Sequence, residues 1–347
     1  MEMLIINLQL FANEVQTTLL SGLSAEMKTF YDMTLLDEAS ANLVHDQFGQ
    51  KRPIPANGGK TIEFRKFAPL AKALTAITEG VTPDGKSLSV STVTATVSQY
   101  GDYITQSDVL ELTALDNTIL EATKLLGKQA GLTLDTVTRN VINAGSNVTY
   151  CPKVASGEET AVTSRSGMDT TSKLTVKVIQ KVVAKLRGQN APTIGGKYVA
   201  IIHPYVAYDL MRDPEWIDAH KYAQPDNLYT GEIGEIAGVR FVTSTEAKIW
   251  NDKTCPVASG TAGASGATYH PVFSTLFLGE GAYGVTEISG GGLQTIIKQK
   301  GSAGTADPLD QRSSVGWKAI KTAEILIPNY LVRVESCSPD FDTADAN

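Results

Sequence analysis

The chain has few cysteines, few histidines, no excess of basic charge and no long apolar run. Each shortage removes a class of function. The cysteines Cys151, Cys255 and Cys337 are odd in number and far apart in sequence, which argues against a disulfide framework and fits a reducing compartment. No window reaches the roughly 18 consecutive apolar residues of a membrane-spanning helix, so no membrane contact is expected. The opening run Met3 to Ala12 is broken by Asn7 and Gln9 and has no basic leader. It reads as a sticky N-terminal arm rather than a signal peptide. A net charge of -7 and a pI near 5.2 leave no positive field with which to grip nucleic acid. The four histidines, His45, His203, His220 and His270, show no metal-ligand spacing to one another or to a cysteine. No G-x-S-x-G elbow and no cysteine nucleophile signature is present. The reading therefore assigns no catalytic, cofactor-binding or metal-binding residue.

What is present is a foldable composition. Hydrophobic residues make up 42% and charged residues 19% of 347 positions, enough for two ordinary domains or one domain with long extensions. Thr34 to Phe48 reads as a short amphipathic helix with Leu35, Leu36, Ala39, Leu43 and Val44 on one side, stopped by Pro53, Pro55, Gly58 and Gly59. From Thr61 the period becomes two: Ile62 and Phe64 alternate with Glu63 and Arg65. A second alternating run covers Leu88 to Val97, with a change of phase that suggests a bulge or bend. Residues 57–100 thus read as a long two-stranded arm with a turn-rich tip. Two strands alone are marginal in water, so the arm is expected to lie on a neighbouring copy.

Thr118-Ile119-Leu120-Glu121 fits a capping box. Ile119, Ala122, Leu126, Ala130, Leu134, Val137 and Val141 then recur at helical spacing up to Gly145, giving a helix of roughly 40 Å with one apolar stripe. A second helix is expected from Leu174 to Arg187, a buried strand at Lys197 to Ile202, and a helix around Tyr205 to Met211. Further strands are expected at Val239–Thr243, Val272–Leu278, Leu293–Lys298 and Ile325–Val334. Ala258 to Gly266 reads as a flexible loop, and the acidic tail with Asp340, Asp342 and Asp345 as frayed. The fold class is α+β.

The one nucleotide-like motif is Gly279-Glu280-Gly281-Ala282-Tyr283-Gly284, a G-x-G-x-x-G. A dinucleotide site needs such a loop to open a helix. Val285 to Ser289 followed by Gly290 to Gly292 cannot form one, so the motif reads as a structural turn. His203, before Pro204 at a strand end, reads as structural too.

Several stretches resemble the major capsid proteins of tailed phages, in the family named after the N-four phage capsid protein. They are residues 201–223 with His203-Pro204 and Asp213-Pro214-Glu215-Trp216, residues 231–247 with Gly238-Val239-Arg240-Phe241, and residues 301–324 with Gly304-Thr305-Ala306-Asp307-Pro308-Leu309 and Val315-Gly316-Trp317-Lys318. Thr78 to Pro83, Gln99 to Tyr103 and Leu8 to Ala12 add to them, so the resemblance runs over nearly the whole chain. It implies the Hong Kong ninety-seven-type capsid fold. The implied parts are an N-terminal arm at 1–34, a peripheral domain at 35–50 and 101–189 with a spine helix at 116–145, an extended loop at 51–100, an axial domain at 190–320, and a closing strand and tail at 321–347 that return to the peripheral domain.

By the same resemblance the chain is a virion subunit, assembled in the host cytoplasm into hexamers and pentamers of an icosahedral head shell that encloses genomic DNA and expands on maturation. The implied partners are copies of itself, a portal, an optional decoration protein and non-specifically contacted double-stranded DNA. Some relatives carry a scaffolding region ahead of the arm; here a separate scaffolding protein is expected. Some relatives crosslink subunits through lysine and asparagine. Lys72 and Lys86 lie in the arm, but no catalytic carboxylate is assigned, so crosslinking between subunits is not expected. The alternatives are an encapsulin-like compartment and, more remotely, a nucleotide-dependent enzyme using Gly279 to Gly284.

Overall fold

The computed structural model describes residues 33–39, 42–53, 60–67, 70, 72–77, 79–82, 85–88, 90–113, 118–155, 157–223, 234–259, 267–287, 293–302 and 307–347. The expected N-terminal arm lies outside these apart from its last two residues, as do Gly260 to Gly266 and Gly290 to Gly292. The chain divides into two compact units built from interleaved segments. One unit takes the described parts of 1–40, 100–130 and 293–319, and the other those of 41–99, 131–292 and 320–347.

The second unit is organised by a mixed sheet in the order 148–150, 331–337, 272–278, 198–202, 239–243 and 235–236. Tyr198–Ile202 and Val272–Leu278 are buried at every position, as strands covered on both faces must be. On one face Phe273 and Phe277 join Ala200 and Ile202 against the helix Val176–Gly188 and its Val178, Ile179, Val182 and Leu186. On the other, Leu276, Leu278 and Ile201 pack with Ile142, Tyr283, Val285 and Leu331. Each such buried side chain contributes about 1.5–3 kcal/mol relative to exposure. The sequence specifies the helix ends. Thr175 Oγ1 accepts the Val178 N–H at 3.4 Å, and Pro204, which has no N–H to satisfy, is the first residue of Pro204–Met211. That helix and Pro214–Ala223 form the crossover that the parallel pair 198–202 and 239–243 requires.

The single strand expected over Ile325–Val334 is three elements. Ala323–Ile325 ends before a one-turn helix at Pro328–Tyr330, and Leu331–Cys337 follows. Pro328 cannot donate to a ladder, so the chain turns there. Leu331–Cys337 pairs along its length with Val272–Leu278 and on its other edge with 148–150. The helix expected over Thr34 to Phe48 is helical only at 33–39, and 45–48 are turns. The reason is tertiary: the His45 N–H donates to Asp135 Oδ1 at 2.7 Å, which takes the donor a helix would use.

The arm hairpin pairs Thr61–Phe67 with Val90–Thr96 in unbroken antiparallel register, and the Val97 N–H donates to the Lys60 carbonyl at 2.9 Å below it. The phase change between Val90 and Val93 is therefore not a bulge within the ladder. The strand begins at Val90, which is exposed, whereas Ile62, Phe64 and Ala95 pack on Leu326, with Val93, Val97 and Ile327 at the margin.

In the first unit, Leu293–Lys298, Arg312–Lys321 and Ser98–Ser107 form a three-stranded sheet, with Arg312–Lys321 in the middle. Glycine lets these strands close up: a Cβ at Gly101 would sit 2.6 Å from the Trp317 carbonyl oxygen, and one at Gly316 would sit 2.7 Å from Tyr103 Cβ. The helix Thr118–Asn143 runs for 26 residues. Its first half carries Ala122, Leu126 and Ala130 inward, with Gln129 donating to Asp102 Oδ2 at 2.7 Å and accepting from Trp317 Nε1 at 3.2 Å. The expected capping box does not form. Thr118 is already helical and its hydroxyl donates to Gln106 Oε1, while Glu121 pairs with Lys124.

At the root of the arm a Cβ on Gly284 would lie 2.4 Å from the Phe64 ring. Gly284→Ala is expected to destabilise the unassembled subunit by about 1–3 kcal/mol in chemical denaturation. Shortening the opposing ring with Phe64→Leu in the same chain is expected to cost less than the sum of the two single changes.

Candidate assembly surfaces

The Gly279–Gly284 motif has all three glycines occupied structurally. A Cβ at Gly279 would meet the Pro192 carbonyl oxygen at 2.9 Å, Gly281 has φ +69°, and Gly284 faces Phe64. The amides that would cradle a phosphate are already used. The Gly279 N–H donates to the Tyr330 carbonyl at 2.8 Å and the Glu280 N–H to the Pro192 carbonyl at 3.0 Å. The motif leads from Val272–Leu278 into the strand Tyr283–Thr286, not into a helix. The geometry a pyrophosphate needs is therefore missing.

His203 Nδ1 accepts the Tyr205 N–H at 3.2 Å as the N-cap of Pro204–Met211, and its ring packs near Tyr205 and Phe273. Burial lowers its pKa to about 4. His45 is buried against Asp135, and His270 Nδ1 lies 2.6 Å from Asp342 Oδ1. His220 falls on Pro214–Ala223. No group of three or more His, Cys, Asp or Glu suited to a metal occurs among the described residues. The three cysteines are buried and free; burial pushes the Cys151 thiol up, and that of Cys337 up to about 12.

The tail expected to fray is docked instead. Phe341 stacks on Tyr205 with ring centroids 4.0 Å apart. Asn251 Nδ2 donates to the Ala344 carbonyl at 3.1 Å, and the Ile249 N–H donates to Asn347 Oδ1 at 2.9 Å. The acidic residues concealed a hydrophobic and amide-bonding pattern interleaved with them.

A feature that hydropathy did not disclose lies under the second half of the long helix. The expected apolar positions Val137 and Val141 are only half-buried, while Asp135, Thr138, Arg139 and Asn143 are buried. Asp135 holds both the backbone N–H and Nδ1 of His45, each at 2.7 Å. Thr138 Oγ1 donates to Asp46 Oδ1 at 2.6 Å, Lys321 Nζ donates to Asp46 Oδ2, and Tyr283 OH donates to the His45 carbonyl. Burial lowers the Lys321 pKa, opposed by the Asp46 carboxylate. A second buried cluster sets Glu335 between Arg165, in bonds of 2.7 and 2.8 Å, and Arg333, with Arg165 stacked on Trp250 at 3.8 Å.

Exposed apolar residues concentrate on particular parts. In the second unit the arm tip presents Leu70, Leu74, Ile77, Val81, Leu88 and Val90, with Leu74 87% exposed. In the first unit Met33, Tyr103, Val109, Leu110 and Leu125 are exposed, and Leu309 stands out at 75%. Single exposed leucines are ordinary, but a run of them beyond the end of a two-stranded ladder is unusual.

A model of the family described as phage capsid protein matches residues 90–333, well over half of the chain. The capsid structure of the cyanophage P-SCSP1u aligns with a TM-score of 0.61 at 14% identity, covering 95% of this chain and 94% of that one. The capsid of Ralstonia phage GP4 aligns with a TM-score of 0.65 at 12% identity, over 88% and 89%. The mature capsid of bacteriophage PhiM1 gives 0.56 at 14%, over 84% and 86%. At these identities the likeness is one of fold. No curated protein sequence matches the chain.

Two outcomes follow from this geometry. Calorimetry with NAD and with ATP is expected to give only heats of dilution. His203 is held neutral in the fold, so the unfolded chain binds the extra proton first as pH falls, and stability drops between pH 6.5 and about 4. His203→Asn retains a capping oxygen and is expected to flatten that part of the stability profile, read by denaturation at a series of pH values.

Proposed function

The chain belongs to the phage capsid protein family, and from that premise we propose where its contacts lie and how its shell is built. It is a structural subunit of a phage head shell, with the Hong Kong ninety-seven-type fold, and it assembles with copies of itself in the virion. The observation that carries the finer reading is the arm: a well-registered hairpin at its root and six exposed apolar residues at its tip. Among the described residues of one subunit, nothing covers that tip. In the shell it lies on a neighbour, where apolar burial and covered strand edges stabilise the contact.

In this reading residues 51–100 are the extended loop, 1–34 the N-terminal arm, and 35–50 with 101–189 the peripheral domain. Residues 190–320 form the axial domain. The neighbour's receiving surface is the exposed side of its long helix, where Leu125 and Leu132 stand out. Subunits group as hexamers and pentamers and close an icosahedral shell, which is assembled in the host cytoplasm with a scaffolding protein and a portal and expands when double-stranded DNA is packaged. Each contact is weak, and closure sums many of them. The negative net charge suits a wall that confines DNA without gripping it. A compartment shell for a cargo enzyme is not favoured, because the matching family is one of phage capsids.

Deleting residues 70–88 removes five of the six exposed apolar residues, all but Val90, and leaves the ladder Thr61–Phe67 with Val90–Thr96 in place. The variant is expected to fold, with a melting transition near that of the intact subunit, and to give no closed particles in electron micrographs. Normal shells from that deletion would overturn the assignment of the tip as an assembly contact.

A further inference from the structure

The buried cluster beneath the long helix has a chemistry that the shell contacts do not use. We propose that Lys321 and Asp46 join covalently within each subunit, the lysine amine condensing with the aspartate carboxyl to form an amide. Two partners separated by 275 positions are already in contact, Nζ donating to Oδ2. Both are out of water: Lys321 is 1% exposed and Asp46 6%. The condensation begins with transfer of a proton from the ammonium to the carboxylate oxygen it touches, which frees the amine lone pair. Burial acts on Lys321 in that direction, lowering its pKa.

The rest of the cluster supplies what the condensation needs. Thr138 Oγ1 donates to the other carboxyl oxygen, Oδ1, at 2.6 Å. When the amine lone pair attacks Cγ, Oδ1 takes up the negative charge and the Thr138 hydroxyl stabilises it. The bond from Cγ to Oδ2 then breaks. Oδ2 already carries the proton passed from the ammonium and takes a second from the attacking nitrogen, so water leaves and the amide remains. Asp135 is a positioning residue. Through the N–H and Nδ1 of His45 it fixes the backbone next to Asp46, and Tyr283 fixes the His45 carbonyl from the other side. Holding the reactants in one place in this way replaces an encounter by a fixed geometry. The product closes a very long loop, which restricts the unfolded chain and resists opening under load.

The full-length chain, purified from assembled particles, is expected to be one water lighter by intact mass than its sequence. Its tryptic digest is expected to hold a branched peptide joining residues 29–51 to residues 319–333, uncut at Lys321. A chain at full sequence mass, with 29–51 recovered as a linear peptide and cleavage at Lys321, would overturn the proposal. Asp46→Asn is expected to lose one ammonia in place of one water, and Lys321→Arg to remain at its full mass. Thr138→Val is expected to lower the joined fraction at a fixed time after refolding. An unchanged fraction there would remove Thr138 as the group that receives the developing charge.

Discussion

Lys321 is buried, and the arrangement of the larger unit depends on how its amine is met. Asp46 meets it, Thr138 completes the aspartate, and the neighbouring His45 is gripped by Asp135. Removing one member of a buried ion pair typically costs about 3–5 kcal/mol, since the survivor is left uncompensated. The cluster therefore fixes three things together: the turn that precedes the arm, the second half of the long helix, and the end of the strand Arg312–Lys321. A hydrophobic replacement of the same volume could hold them as firmly, but it would not distinguish one register from another so sharply. Tyr283 adds its phenol to the same group, so the strand behind the glycine motif is tied in as well.

The glycine motif shows why a sequence pattern has to be read through its neighbours. G-x-G-x-x-G marks a phosphate loop only where free amides face an open helix start. Here Gly279 makes room for a carbonyl, Gly281 takes a left-handed turn, and Gly284 admits the ring of Phe64. The third of these links the motif to the arm, because Phe64 belongs to the hairpin's first strand.

Local pattern was most legible where one physical cause dominated. The strands Val239–Thr243, Val272–Leu278 and Leu293–Lys298 end where the periodicity and flanking turns place them, and the helix expected over Leu174 to Arg187 forms over Val176–Gly188. Misreadings came where distant residues decided. His45 leaves the helical path because a carboxylate 90 positions away takes its N–H. Asp135, Thr138 and Arg139 look like a solvated face in a hydropathy pattern, and only tertiary partners make them a buried one. The acids of the tail suggest fraying, although Phe341 and Asn347 decide its position. The exposed apolar surfaces were half legible: alternation disclosed the hairpin, whereas the exposure of Leu309 goes with the turn in which Asp307 accepts the Arg312 N–H at 2.8 Å.

The hairpin also has a mechanical character. Its ladder bonds run across the strands, and both strands are anchored at the same root, by the Lys60–Val97 bond and by Phe64 against Gly284. A pull on the tip is thus carried as tension along two antiparallel backbones side by side rather than as a force that peels hydrogen bonds apart one at a time. The arm behaves as a doubled cable. Strain imposed far out along it is delivered, nearly undiminished, to the ring and the glycine at its base.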